Sequence, residues 1–152
     1  MSTQPKLRQT YTIKEASERC GLPESTLRYY ESIGIIDKIG RDFSSKHRVY
    51  NEGDIDTLDA IACLNATGMS LDDMRLYIEN RTHGKDAAKD QIKLFEDQVE
   101  RLKAETVFLA LREKYVKIKL SYWQAVESGN DSLALEISDK AKSLARDLKS
   151  TK

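Results

Sequence analysis

The segment STLRYYESIGII, residues 25–36, combines side chains that suit contact with a nucleic acid. Its spacing predicts a helix whose outer side carries two hydroxyls, a cation and a phenol: Ser25, Thr26, Arg28 and Tyr29. A helix that enters a DNA groove presents short polar groups near its amino end and donors that reach phosphates. Leu27 and Tyr30 share the opposite face, which predicts that both pack in the core. The alternative for the outer side is an ordinary solvated surface.

A second group of cations follows this helix. Strand-like residues at 36–39 and 48–50 flank the polar loop GRDFSSKH, which predicts a small β-hairpin. The hairpin would hold basic side chains at its tip or edges: Arg41, Lys46, His47 and Arg48. A basic hairpin can also be merely solvated, but here it resembles the wing of a winged helix.

Two short helices position the first set of residues. Thr12 and Glu15 have the spacing of a capping box, and Gly21 is expected to stop the helix that they start. Pro23 suits the opening turn of a second helix, which Gly34 is expected to end. Two helices joined by a turn that contains glycine predict a helix-turn-helix.

A further helix pair is predicted in the segments NEGDIDTLDAIACLNATG and SLDDMRLYIENR. The first has apolar residues at helical spacing and ends at Gly68, and the second starts at a cap of Ser70 with Asp73. The predicted inward residues are Ile55, Leu58, Ile61 and Ala62 on the first helix, and Leu71, Met74, Tyr77 and Ile78 on the second.

After Gly84 the sequence runs to about Ser128 with no proline or glycine, which predicts one very long helix. Along it runs what we call the long stripe, ten positions at alternating steps of three and four: Ile92, Phe95, Val99, Leu102, Thr106, Leu109, Glu113, Val116, Leu120 and Trp123. An apolar stripe of this length predicts a coiled coil with another chain.

A second stripe widens the apolar face of the same helix from its middle onward: Phe108, Leu111, Tyr115, Ile118 and Tyr122. After the break ESGND, a final amphipathic helix is predicted with one apolar side: Leu133, Ile137, Ala141, Leu144 and Leu148. This final helix is expected to fold back onto the second stripe.

Composition and charge exclude several classes of protein. Residues 1–50 hold nine Lys or Arg against six Asp or Glu, whereas the whole chain has 25 of each sign, so the basic excess is local and modest. No bilayer-spanning apolar run or signal peptide is recognisable, which predicts a cytoplasmic protein with free thiols. No metal-ligand spacing, cofactor motif or catalytic constellation is present, so an enzyme is not expected.

The ordered set of motifs resembles the MerR family of bacterial transcription regulators. The resemblance covers YTIKEASERCGLPESTLRYYESIGII, the hairpin ending RVY, the helix pair DIDTLDAIACLNATGMSLDDMRLYIE and the long helix. It implies a mainly α fold: a winged helix-turn-helix DNA-binding domain with a β-hairpin wing at residues 10–82, an antiparallel coiled-coil dimerisation helix at 85–128, and a carboxy-terminal helix at 131–149.

The same resemblance implies roles for individual residues. The recognition helix matches residues 25–30, Thr12 and Lys14 match positions that contact the DNA backbone, and the wing cations match Arg41, Lys46 and Arg48, with Tyr50 as its closing tyrosine. Family members often have a glycine before the Arg-x-Tyr, where this chain has Lys46 and His47.

The function implied is a homodimer that binds a pseudo-palindromic operator in double-stranded promoter DNA and distorts it for RNA polymerase in response to an effector. Metal and drug sensing are disfavoured, because no cysteine follows Cys63 and only a short segment follows the coiled coil. The stretch IACLNATGMSLDDM resembles the aldehyde- and thiol-stress-responsive branch, which makes Cys63 a candidate thiol sensor, with core packing as its alternative. The competing hypothesis for the whole chain is a coiled-coil adaptor that binds other proteins.

Overall fold

The computed structural model describes residues 9–150, which fall into two compact units that divide after Phe95. Six α-helices are present in the described part of the chain, and they confirm the predicted mainly helical fold. None of these helices is long and apolar enough to span a bilayer.

The first unit begins with the predicted helix-turn-helix. Helix α1 spans Ile13–Cys20, is capped by Thr12, whose side chain accepts from the Glu15 N–H, and ends at Gly21 with a φ of 74°. Helix α2 spans Glu24–Ser32 and follows Pro23, whose restricted φ suits a helix start. The Ser17 hydroxyl donates to the Leu22 carbonyl at 2.6 Å and ties the intervening turn to α1.

Helices α3, Glu52–Ala66, and α4, Leu71–Arg81, form the predicted second pair. Asn51 caps α3 in a reciprocal capping box with Asp54, and Ser70 caps α4 by accepting from the Asp73 N–H. Leu71, which the pattern placed inward, is instead exposed, because it is the first residue of α4 and lies at the edge of the core.

One apolar core holds the first unit together. It draws residues from α1 to α4, from the segments between them and from the residue before the α1 cap: Tyr11, Ala16, Leu22, Leu27, Tyr30, Ile35, Ile36, Ile39, Tyr50, Ile55, Leu58, Ile61, Met69 and Met74. Burial of each large side chain stabilises the fold by roughly 1.5–3 kcal/mol. Leu27 and Tyr30 on α2 are buried, as their spacing predicts, so α2 is held by one face and offers the other to solvent.

The predicted wing hairpin is not formed as two strands. Within residues 9–150 the extended pairing is limited to two isolated antiparallel bridges, Tyr11 with Tyr50 and Arg41 with Arg48. The Arg41–Arg48 bridge is made by two backbone bonds, from Asp42 N–H to the His47 carbonyl and from Val49 N–H to the Gly40 carbonyl, each at 2.8 Å. The segment is too short and too polar for a longer ladder, because its side chains compete for the backbone groups.

Helix α5, Ala88–Glu127, follows a 3₁₀ turn at Gly84–Ala87. Near its start, Gln91 donates to the Tyr77 carbonyl at 3.0 Å, and the Phe95 ring meets the edge of the Tyr77 ring at 5.7 Å between centroids. These contacts join the first turns of α5 to α4 within the first unit.

The second unit consists of the remainder of α5 and helix α6, Asp131–Ser150. A three-residue turn joins them, with Gly129 at a φ of 74° and the Asn130 N–H bonded to the Ala125 carbonyl at 2.9 Å. Such a short connection makes the two helices antiparallel neighbours. The second stripe of α5 is half-buried and Ala134, Ala141 and Leu144 of α6 are buried, in accord with the predicted fold-back.

Candidate nucleic-acid interface

The outer side of α2 is exposed except at Thr26. Arg28 and Tyr29 are both about half exposed, and Ser25 is exposed near the amino end, whereas Thr26 is half-buried. The Arg28 guanidinium meets the Glu24 carboxylate at 3.4 Å, one helical turn away. An exposed pair of this kind contributes only a few tenths of a kcal/mol, so it leaves Arg28 able to bind another anion.

The wing loop brings more positive charge next to α2. Thr12, Arg28, Arg41, Lys46 and His47, which we call the cationic face, surround a surface cavity of about 270 Å³ together with Ile13 and Arg48. These residues come from the start of α1, the middle of α2 and the wing loop, so residues far apart in sequence meet at one surface. A cavity with cations on several sides suits a phosphate group.

Arg48 lies at the edge of this cavity but is engaged by an acid. Its Nε donates to Glu31 Oε2 at 2.7 Å, and the two side chains are only 21% and 10% exposed. The other oxygen of Glu31 accepts from the Ile39 N–H at 2.9 Å. Glu31 therefore clamps the wing loop to the end of α2, and Arg48 positions the wing in addition to adding charge.

The protonation of Glu31 depends on the same contacts. Burial raises the pKa of the Glu31 carboxyl, but the bonds from Arg48 and from the Ile39 N–H outweigh burial, and the net pKa lies below its ordinary value of 4.5. Glu31 is therefore charged at neutral pH, and the clamp is an ion pair.

The remaining residues predicted to contact DNA lie outside the cavity. Lys14 is exposed on α1, whereas Tyr50 is fully buried and its hydroxyl has no hydrogen-bond partner among the described residues. Burial raises the pKa of that hydroxyl. The position of Tyr50 favours a structural role, because its ring fills the core beneath the wing while its backbone pairs with Tyr11.

The tip of the wing is shaped by Asp42. Its carboxylate accepts from the Ser44 hydroxyl at 2.7 Å, from the Ser44 N–H at 3.0 Å and from the Ser45 N–H at 2.8 Å. These bonds lower the pKa of Asp42 to about 2. After this turn Lys46 adopts a left-handed backbone with a φ of 63°, a conformation that favours glycine.

Two exposed wing residues were not predicted as site residues from the sequence. His47 lines the cavity, and Phe43 at the tip is 92% exposed with the Lys46 ammonium 4.8 Å from its ring centroid. A histidine or phenylalanine in a polar loop carries no distinctive spacing. A solvated aromatic beside a cation is nevertheless a combination that favours contact with nucleic acid.

The long stripe and the cysteines lie elsewhere. Eight large apolar residues of the long stripe are between 37% and 65% exposed: Ile92, Phe95, Val99, Leu102, Leu109, Val116, Leu120 and Trp123. Cys63 is exposed on α3, and Cys20 is half-buried against the core of the first unit. Within residues 9–150 no cluster of three or more potential metal ligands occurs.

The chain is similar in sequence to known transcriptional regulators. Residues 11–81 match the model of the MerR HTH family regulatory protein. An uncharacterized HTH-type transcriptional regulator of Haemophilus influenzae is 31% identical over 119 residues, which cover 78% of this chain and 87% of that protein. The chain belongs to the MerR family of transcriptional regulators. The HTH-type transcriptional regulator AdhR of Bacillus subtilis is 31% identical over 59% of this chain and 64% of its own length.

Solved structures agree with the MerR assignment. HiNmlR, described as a MerR family regulator lacking the sensor domain and bound to promoter DNA, superposes with a TM-score of 0.66 at 30% identity. The match covers 85% of this chain and 96% of that one. A MerR family regulator from Bacillus cereus, with a TM-score of 0.69 over 91% of this chain and 98% of that one, is 21% identical and supports the fold alone.

Proposed function

We propose that this MerR-family transcriptional regulator binds double-stranded promoter DNA through the cationic face and the outer side of α2. The observation that carries the proposal is the convergence of Arg28, Arg41, Lys46 and His47 around one surface cavity beside an exposed helix. HiNmlR, which matches this chain over most of its length, was solved bound to promoter DNA.

The DNA contact expected of each residue follows from its position. Ser25 and Tyr29 on the outer side of α2 face the groove and meet base edges or backbone, while Arg28 and the wing cations bind phosphates. Thr12 and Lys14 at the start of α1 reach the DNA backbone. Glu31 and Arg48 hold the wing at the correct distance from α2 but contribute less to the DNA directly.

We propose that the long stripe pairs two copies of the chain. Eight exposed large apolar side chains on one helix are unfavourable in water, and a second copy would cover them. Two DNA-binding units related by a two-fold axis then read a pseudo-palindromic operator. The dimer would hold promoter DNA in a distorted geometry for RNA polymerase, with an effector favouring one of two dimer shapes.

We propose thiol modification at Cys63 as the signal. The exposure of Cys63 on α3 supports its access to electrophiles, whereas Cys20 is shielded. An adduct on this exposed thiol displaces no packed neighbour in this chain, so it would act on a partner that binds the surface around Cys63.

The experiment that tests DNA binding compares two arginine variants on a duplex that carries the region upstream of the gene. We expect Arg28→Ala to weaken binding by about 1–3 kcal/mol and to reduce its salt dependence, because a phosphate or base contact is lost. Arg146→Ala on α6 removes the same charge from the other unit and serves as the control. Equal affinities of the two variants, or wild-type protein that binds no duplex at low salt, would leave the adaptor hypothesis in place.

A further inference from the structure

The charges that flank the long stripe on α5 are arranged with a symmetry of their own. Positions of the stripe alternate at steps of three and four, so the pattern reads the same in both directions about the point between Val107 and Phe108. On either side of the stripe lie the exposed residues Glu96, Glu105, Arg112 and Lys117. With Lys103 and Lys119, which border the stripe in the same way, two acids and one base precede the midpoint and three bases follow it.

We propose that a second copy of this chain binds the long stripe in one antiparallel register, with the two-fold axis between Val107 and Phe108. Thr106 then faces the partner's Leu109, Leu102 faces the partner's Glu113, and Val99 faces the partner's Val116. The same symmetry pairs Phe95 with the partner's Leu120 and Ile92 with the partner's Trp123. This register rests on the homodimer under Proposed function and specifies how its two subunits align.

The flanking charges favour this register. In antiparallel coiled coils, the residues that border the apolar seam on one side meet the same kind of position on the other helix. Here Glu105 meets the partner's Arg112, and Glu96 meets the partner's Lys117. Two-fold symmetry repeats each pair, so four attractive pairs border the interface.

Glu113 explains why the helices run antiparallel. It occupies a position of the stripe, and its carboxylate bonds to the Lys117 ammonium of the next turn at 2.5 Å. In the proposed register each Glu113 faces an apolar side chain, and Lys117 bridges its own Glu113 and the partner's Glu96. A parallel dimer in register would instead bring the two Glu113 carboxylates against each other in the seam, which costs stability.

Shifted registers are disfavoured by like charges. If the partner slides by one heptad in one direction, Glu105 meets the partner's Glu105 and Lys103 meets the partner's Lys103. A slide in the other direction brings Arg112 against the partner's Arg112 and Lys103 against the partner's Lys117, and it keeps one attractive kind of pair, Glu105 with the partner's Lys119. Because exposed pairs across a helix interface differ by only fractions of a kcal/mol each, it is the change of sign in several pairs at once that selects the register.

A distance between spin labels tests the register. Lys114 is exposed and lies off the stripe, so Lys114→Cys in a chain that also carries Cys20→Ala and Cys63→Ser accepts one label per subunit. With a helical rise of 1.5 Å per residue, we expect an axial separation of about 20 Å between the two labels. In the two heptad-shifted registers the axial separation between the labels would be about 30 Å or about 9 Å. In a parallel dimer in register the labels would lie at the same height along the axis.

Charge exchange tests the pairs themselves. We expect Glu105→Arg and Arg112→Glu each to raise the dimer Kd about tenfold, and the double variant to return it to near the wild-type value. Glu100→Arg, the same charge change off the seam, is the control and is expected to shift the Kd by less than about threefold. A dimer with another label separation, or no recovery in the double variant, overturns the register and leaves the homodimer intact. A chain that stays monomeric by sedimentation overturns both.

Discussion

The Glu31–Arg48 ion pair gives the sharpest quantitative prediction. Glu31→Gln preserves the size of the side chain and its acceptor for the Ile39 N–H, but removes the charge that balances the Arg48 guanidinium. Both side chains are largely buried, at 10% and 21% exposed, so water replaces the lost contact only in part. A hydrogen bond between charged groups contributes about 1.5–3 kcal/mol, and we expect the free energy of unfolding to fall by about 2 kcal/mol.

Urea unfolding at pH 7, followed by circular dichroism, measures this loss. Glu24→Gln is the matched control, because Glu24 meets Arg28 at 3.4 Å with both side chains about 40–50% exposed, and its loss is expected to stay below about 0.5 kcal/mol. Arg48→Met completes a double-mutant cycle, in which we expect a coupling of at least about 1 kcal/mol. A Glu31→Gln variant no less stable than the control would refute the clamp.

Acid should weaken the same clamp. Because the pKa of Glu31 is lowered in the folded chain, its charged form stabilises the fold fully above pH 4.5 and less as the pH falls through the folded pKa. The difference in unfolding free energy between wild type and Glu31→Gln should therefore shrink in acid. A difference that is constant from pH 7 to pH 3 would contradict this assignment.

Three further predictions concern other sites. Leu109→Asp should convert the dimer to monomer by placing a charge in the seam, whereas Leu135→Asp on the exposed part of α6 should not, as measured by sedimentation; two dimeric variants would rule out the long stripe as the interface. Cys63→Ser should abolish the response of DNA binding to electrophiles without weakening binding itself, while Cys20→Ser should keep the response; a full response in Cys63→Ser would exclude that thiol as the sensor. The Ser44 and Ser45 amide resonances should shift with a midpoint near pH 2, because the pKa of Asp42 is about 2 against an ordinary 3.8, and Asp42→Asn should remove that transition.

Local signals in the sequence predicted the helices well. The pairs Thr12 with Glu15 and Ser70 with Asp73, each three residues apart, predicted the starts of α1 and α4. Gly21 predicted the end of α1. Helical spacing also predicted the buried pair Leu27 and Tyr30 on α2. These features depend on neighbours within one or two turns, so no tertiary information was needed.

The wing could not be predicted in the same way. Its strands are replaced by a loop in which Asp42 bonds to the two serines that follow it, and Arg48 finds its partner Glu31 seventeen residues earlier in the chain. Arg48 has no acid near it in the sequence, so it was expected to be free to bind DNA. Only the folded structure shows that Glu31 lies beside it.

The exposure of Cys63 could have been predicted from the sequence. Ile55, Leu58 and Ile61 define the buried face of α3, and a residue two positions after Ile61 lies about 200° around the helix axis from it. The alternative of core packing for Cys63 was therefore at odds with the spacing of its own helix. The structure places Cys63 at the surface of α3.

The left-handed backbone of Lys46 sets stability and affinity against each other at one residue. A selection for thermal resistance alone would favour glycine there, because a left-handed side chain costs about 1 kcal/mol or more. The same replacement would remove a cation from the cationic face. Variant libraries screened separately for heat tolerance and for promoter occupancy should therefore enrich opposite residues at position 46.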